Sequence, residues 1–191
     1  MTRFGYVMAT YLTVLGIGIA AVVPMPVRLI WNASASVPLG LYTLGAARTL
    51  HDGDLVAVMP PKPLAEFMAE RGYLGRDVPL LKHVAAGPGQ IVCRHGRTIT
   101  VDGAVRGEAL NRDRLGRSLP VWRGCHRLDA ASVFVMNPAV RDSLDGRYFG
   151  PLPRRTVIGT ATPLYTDEAG DGHFIWRANA QSRARSSVAS R

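Results

Sequence analysis

The sequence predicts a mainly β domain behind one N-terminal transmembrane helix, with one short soluble helix inside the domain. Three features lead there: a long uncharged apolar stretch opens the chain, short apolar or alternating runs recur between turn residues, and one run alone carries the stop signals of a soluble helix. Composition agrees. The 20 Gly and 13 Pro among 191 residues favour turns and strands, and 47% hydrophobic residues supply one core rather than two.

No residue between Arg3 and Arg28 is charged, and residues 4–27 are long enough as a helix to cross a hydrocarbon core of about 30 Å. One arginine on either side gives little charge asymmetry to orient it. A short N-terminus followed by a periplasmic domain at the bacterial inner membrane is the expected topology. The alternative is a cleaved signal peptide, since Ala33-Ser34-Ala35 has the small-x-small form of a cleavage site, although it lies well beyond Val23, where the apolar run ends. Both readings export the domain. Cys93 and Cys125 are the only cysteines; an oxidising compartment permits them to pair, and the sequence leaves that pairing open.

Residues 31–45 read as a loop leading into a strand, punctuated by Pro38 and Gly40. Residues 52–61 form a turn and a buried strand stopped by Pro60 and Pro61. Pro63 to Arg71 is a helix, with Pro in its first turn, Leu64, Phe67 and Met68 on one face, and Gly72 as its stop. Residues 78–92 hold two apolar runs separated by AAGPG, and residues 97–107 are a hairpin around Asp102-Gly103. Further strands fall at 131–138 and 156–165. From Thr166 onward the pattern fades into a Ser- and Arg-rich end that reads as disordered. The division is therefore 1–30 as anchor or signal segment, 31–165 as the periplasmic domain and 166–191 as a basic tail. Phe174, Ile175 and Trp176 suit either a membrane contact or a small core patch.

The net charge of +9 invites a nucleic-acid partner, but the basic residues are scattered and no recognition motif accompanies them. An anionic lipid surface accounts for the charge instead, each Lys or Arg near it gaining about 1 kcal/mol. None of the five histidines shows metal-ligand spacing, so neither metal nor cofactor is expected.

Two residues are unusual in their settings. Ser36 lies in a Pro/Gly-constrained loop shortly after the apolar segment, where a nucleophile would face membrane-tethered substrates; alone, it would be a turn residue. Lys82 sits inside VPLLKHVAAG among Leu80, Leu81 and Val84, with no carboxylate nearby in sequence. Burial disfavours its ammonium and can bring its pKa from about 10.4 toward 7 or 8, where a neutral amine takes a proton from a serine. The competing reading is a lysine that snorkels from a strand end.

Taken together, NASASVPLGLY, GDLVAV, LLKHVAAGPGQIV, TITVDGAV and SLDGRYFGPLPRRTVIGTA occur in the order of the boxes of the type I signal peptidase superfamily. The chain resembles that superfamily from the apolar segment to about Pro163, and within it the conjugative-transfer peptidases. The resemblance implies a signal-peptidase-like β-rich catalytic domain and a serine endopeptidase with Ser36 as nucleophile and Lys82 as base. It also implies that Ser34 joins the backbone N–H of Ser36 in an oxyanion hole, that Ser143 steers the lysine, and that Asp145 and Arg147 form a supporting pair. Val37-Pro38-Leu39-Gly40 stands where the housekeeping enzymes have Met-x-Pro, and residues 136–150 lack their Gly-Asp-Asn-Arg run. Both departures, with RGYLG and DGRYFGP, point to the conjugative branch.

The expected function is maturation of a pilin precursor by cleavage, with cyclisation as a possible outcome of the acyl-enzyme; the expected partners are that precursor, membrane lipid and components of the mating apparatus. The alternatives are a broader-specificity signal peptidase and a non-catalytic scaffold that keeps only the fold.

Overall fold

The computed structural model describes residues 2–22 and 28–177. Helix α1 (Arg3–Val22) leaves Phe4, Tyr6, Tyr11, Leu12, Val14 and Ile17 exposed. Among the described residues no helix is long and apolar enough to cross a membrane, so the transmembrane helix expected over 1–30 is not supported. Arg3, Gly5, Thr10, Thr13, Gly16 and Gly18 interrupt the apolar surface of α1, and residues 23–27 lie outside the described residues.

The remainder is mainly β, as its turn-punctuated runs imply. In chain order it comprises β1 (Leu29–Asn32), β2 (Leu39–Gly45), β3 (Leu55–Val58), α2 (Lys62–Glu70), β4 (Leu80–Ala86), β5 (Ile91–His95), β6 (Thr98–Val101) and β7 (Ala104–Glu108). It continues with β8 (Gly124–Arg127), β9 (Ser132–Met136), the one-turn α3 (Gly146–Phe149), β10 (Leu152–Pro153), β11 (Val157–Asp167) and β12 (Ile175–Trp176). The larger sheet runs β1-β2-β11-β3-β4-β9-β10, with β12 added to β11, and the smaller runs β7-β6-β5-β8. Every pairing is antiparallel.

Side-chain alternation in β9 ties the two sheets to one core. Val133 and Val135 point into a cluster with Val56, Val58 and Met68 of α2, while Phe134 and Met136 point the other way, to Val92, Ile99 and Val101 of the smaller sheet. A strand buried on both faces has to be apolar throughout, which is why ASVFVM is legible as a strand. The β6–β7 hairpin turns at Asp102 and Gly103, both at positive φ, as the Asp-Gly pair predicts. Cys93 and Cys125 face each other across β5 and β8 and form a disulfide, which closes the question of their pairing.

Gly40 begins the close approach of β2 to β11. Its φ is +136°, and a Cβ there would meet the carbonyl oxygen of Tyr165 at 2.2 Å. Order in the chain continues past the expected boundary at 166. Strand β11 runs through Asp167, whose carboxylate accepts from the backbone N–H groups of Gly170, Asp171 and Gly172 and so shapes the turn into β12. Phe174 stacks between Trp31 and Tyr165, and Trp176 lies on Tyr165. Residues 166–177 therefore belong to the folded body, and the rest of the expected tail, 178–191, lies outside the described residues.

Arg147 joins the sheets from the polar side. Its guanidinium makes a bidentate pair with Asp145, Nε to Oδ1 and Nη2 to Oδ2, both at 2.9 Å. The remaining N–H groups reach the carbonyls of Val140, Arg141 and Ser143 in the loop before α3, and of Glu108 at the end of β7. Arg94 of β5 in turn donates to the Arg147 carbonyl. A buried charge pair is costly to desolvate, yet removing one partner strands the other, at about 3–5 kcal/mol. Arg147→Met is expected to lose that much stability in urea unfolding at neutral pH, a loss far beyond that of a surface Arg→Met change at Arg48.

Candidate active site

Asn32 ends β1, and its side chain organises the loop that follows. The Oδ1 atom accepts from the backbone N–H and the hydroxyl of Ser34, and Nδ2 donates to the carbonyls of Ser34, Val37 and Pro38. Tyr42, from β2, donates its hydroxyl to the same Pro38 carbonyl at 2.7 Å. Burial, with Glu168 adding to it, pushes that phenol above its usual range, so it stays a protonated donor. Backbone carbonyls that would otherwise need water are thus satisfied from within, and the loop holds Ser36 at its crest in a defined shape.

Lys82 is the third residue of β4, a strand hydrogen-bonded on one side to β3 and on the other to β9. Being interior to the sheet, the strand cannot shift to let the side chain snorkel, and the residue is 3% exposed. The competing reading of Lys82 as a strand-end lysine is therefore excluded. Its Nζ lies 2.8 Å from Ser36 Oγ. Burial brings the amine down from its ordinary 10.5 to about 8; Asp145 opposes that shift and Arg147 assists it.

Ser34 is also at hand, its Oγ 3.1 Å from Ser36 Oγ, although its hydroxyl is engaged with Asn32. Ser143 shares a cavity of about 520 Å³ with Ser36 and Lys82. Its hydroxyl is buried without a hydrogen-bond partner, so in this structure it does not bond the lysine it is expected to steer. Asp145 and Arg147 sit behind the site as the buried pair described above. The six expected residues are thus brought together, with Ser36 in hydrogen-bond reach of both Lys82 and Ser34.

Two asparagines complete the arrangement, and sequence reasoning missed both. Asn32 could have been found from its place two residues before a serine at a strand end, the setting of an Asx turn. Asn137, which follows β9, donates its side-chain amide to the Ser36 carbonyl, accepts from the His83 backbone N–H, and is 2% exposed. Only Pro138 after it hinted at anything other than an ordinary strand end. Among the described residues, the one grouping with metal-ligand types is Cys93, His95 and Cys125, and its two sulfurs are bonded to each other.

Chemically the site combines a loop hydroxyl, an amine whose neutral form is accessible near neutral pH, and a buried ion pair that contributes no net charge. A second cavity, of about 750 Å³, opens on the other flank of Ser36 past Val37, Pro38 and Asn137, so the serine stands between two clefts. That is room for a chain to run through.

Comparison with known proteins agrees with this picture. The chain is 34% identical over 145 residues to the conjugal transfer protein TraF of Agrobacterium fabrum, covering 71% of this chain and 81% of that one. To the probable conjugal transfer protein TraF of Sinorhizobium fredii it is 37% identical over 145 residues, covering 71% and 76%. To a plasmid transfer protein TraF of Escherichia coli it is 31% identical over 145 residues, covering 71% and 81%. A crystal structure of a signal peptidase I from Enterococcus faecalis is 18% identical and covers 59% of this chain and 97% of that chain at a TM-score of 0.34, too loose a superposition to transfer any detail. The family model described as signal peptidase, peptidase S26, matches residues 1–166, nearly everything up to the end of β11, and on that match the chain belongs to the signal peptidase family and is a serine peptidase.

Proposed function

We propose that this peptidase cleaves through a Ser36–Lys82 dyad, that it matures a pilin precursor in a conjugative transfer system, and that α1 holds it at the bacterial inner membrane with its β domain in the periplasm. The observation that carries the dyad is the 2.8 Å approach of Lys82 Nζ to Ser36 Oγ inside a desolvated site. Neutral Lys82 takes the Ser36 proton, the alkoxide attacks the substrate carbonyl, and the protonated amine then gives that proton to the leaving amine. The acyl-enzyme is resolved by water to a carboxylate or by a substrate amine to a new peptide bond. Ser34 supports the oxyanion by swinging its hydroxyl from Asn32 as charge develops, together with the Ser36 backbone N–H.

The conjugative assignment rests on the names carried by the relatives. Membrane attachment is supported by the exposed apolar side chains of α1, by the uncharged stretch at 4–27, and by the exposed aromatics Trp31 and Trp176. Cleavage of signal peptides from many exported proteins is the second reading, favoured by the family description itself. Lipid and mating-apparatus components are the further partners proposed, and no nucleic acid is among them.

The base role fixes a pH profile. With the amine at about 8, kcat/KM rises about tenfold per pH unit below that value and levels above it, as initial rates on a pilin-derived peptide from pH 6 to 10 would read out. An unchanged rate at pH 6 would exclude Lys82 as base. Lys82→Met is expected to abolish turnover and also to stabilise the fold. The native amine binds its proton more weakly than the unfolded one, so between about 8 and 10.5 the unfolded chain holds more protons and wild-type stability rises with pH. Below about 8 the full penalty is present, on the order of 3 kcal/mol, and there the Met variant gains most. Thermal melts of both proteins at pH 6.5 and pH 10.5 test the sign.

The intact mass of the cognate precursor, incubated with detergent-solubilised enzyme and with Ser36→Ala as control, separates the outcomes of the acyl-enzyme. A truncated product one water lighter than the linear peptide identifies aminolysis, and one at the linear mass identifies hydrolysis. An unrelated preprotein cleaved equally well would instead favour the broader signal peptidase.

A further inference from the structure

We infer that Asn137 is the positioning residue that sets the distance between the serine and the lysine, a role that rests on the dyad reading above. Three hydrogen bonds meet on its side chain. Its Nδ2 donates to the Ser36 carbonyl at 2.7 Å and, more weakly, to the Leu81 carbonyl at 3.4 Å. Its Oδ1 accepts from the His83 N–H at 3.0 Å. Leu81 and His83 are the residues on either side of Lys82, so one amide side chain grips the nucleophile's own peptide group and both chain neighbours of the base.

The fourth bond anchors the grip. The Asn137 backbone N–H donates to Asp145 Oδ2 at 2.9 Å, and Arg147 Nη2 reaches the Asn137 carbonyl at 3.4 Å. The charged pair is thus connected to the reacting atoms by one residue. Asp145 and Arg147 fix Asn137, and Asn137 fixes the loop to the strand. Among the described residues no other hydrogen bond joins the Ser36 backbone to β4, because the internal bonds of the loop run to Asn32 and Tyr42, although Val37 packs in one apolar cluster with Leu81.

The chemistry needs such a bridge. The loop bearing Ser36 and the strand bearing Lys82 are separated by 46 residues of chain, and a proton transfer between their side chains tolerates little error. A misplacement of about 1 Å can cost about a hundredfold in rate. Asparagine suits the position because it offers a donor and an acceptor on one short planar group. Aspartate keeps the acceptor for His83 and loses the donor to Ser36, and at this depth would add an uncompensated charge.

The test compares Asn137→Ala and Asn137→Asp with Val92→Ala, a core truncation in the smaller sheet, at a temperature where melting curves show all of them folded. Ser36→Ala runs alongside. The expected result is a fall in kcat of about a hundredfold for both Asn137 variants, with KM within about threefold of wild type, while Val92→Ala keeps its kcat. The ascending limb of kcat/KM against pH should also move upward in Asn137→Ala, as water gains access to the lysine. A kcat loss no greater than that of Val92→Ala would make Asn137 a merely structural residue, and a loss confined to KM would make it a substrate contact; either result overturns the inference. Activity persisting in Ser36→Ala would instead overturn the dyad, whatever Asn137 does.

Discussion

A lysine amine enclosed in the middle of a sheet is the constraint from which the rest of the site follows. An ammonium ion there is poorly solvated, which is what makes the neutral form accessible near pH 8. A lone carboxylate nearby would restore the charge and defeat the purpose. Asp145 is close enough to act in that direction, but burial outweighs it, and Arg147, which holds the aspartate through two bonds, pushes the lysine the other way by a smaller amount. The pair therefore braces the fold without setting the protonation state of the amine. Either member alone would tilt it.

Enclosing the lysine also dictates how the nucleophile is presented. A serine must come to the amine, since β4 is locked between β3 and β9, and it comes on a loop whose polar backbone would cost free energy to bury unpaired. Asn32 and Tyr42 meet that demand with side chains, at the carbonyls of Ser34, Val37 and Pro38. The bonds that make the loop tolerable in a semi-buried place also leave it rigid. Preorganisation of this kind is available before substrate arrives, so little binding energy is diverted into ordering the loop.

Much of the framework was legible because its signals are local. Strand β9 is buried on both faces and reads as an apolar run, β4 reads as one interrupted by Lys82 and His83, α2 carries its proline and glycine signals, and Asp102-Gly103 marks its hairpin. Strand β8 was not legible, since Gly-Cys-His-Arg is exposed throughout and holds its place by pairing with β5 and by the disulfide. Order at 166–177 was hidden for a similar reason: Asp167 shapes that turn by bonding three backbone N–H groups, which no hydrophobic pattern records. Ser36 and Lys82 stood out because each residue type is odd for its surroundings and the boxes around them come in order. Asn137 did not, because an asparagine before a proline is commonplace and its partner Ser36 is 101 residues away.

The position of the lysine bears on which acceptor resolves an acyl-enzyme. On the proposed dyad, the proton taken from Ser36 leaves with the departing amine, so Lys82 would also deprotonate the next nucleophile, which would then approach on the lysine's flank of the serine. The cleft on that flank has a mixed lining, with Leu74, Leu110 and Leu119 on its apolar side and Asp113, Arg114, Arg117, Asp142 and Ser143 among its polar groups. Walls of that character admit water, so aminolysis would have to draw on the high effective concentration of a peptide N-terminus tethered to the acylated chain. Ser143, with its hydroxyl unpartnered, is the natural place for such a group to find its first hydrogen bond. On the proposed mechanism, the balance between water and amine would then rest on how long the departing segment occupies the cleft and keeps both out.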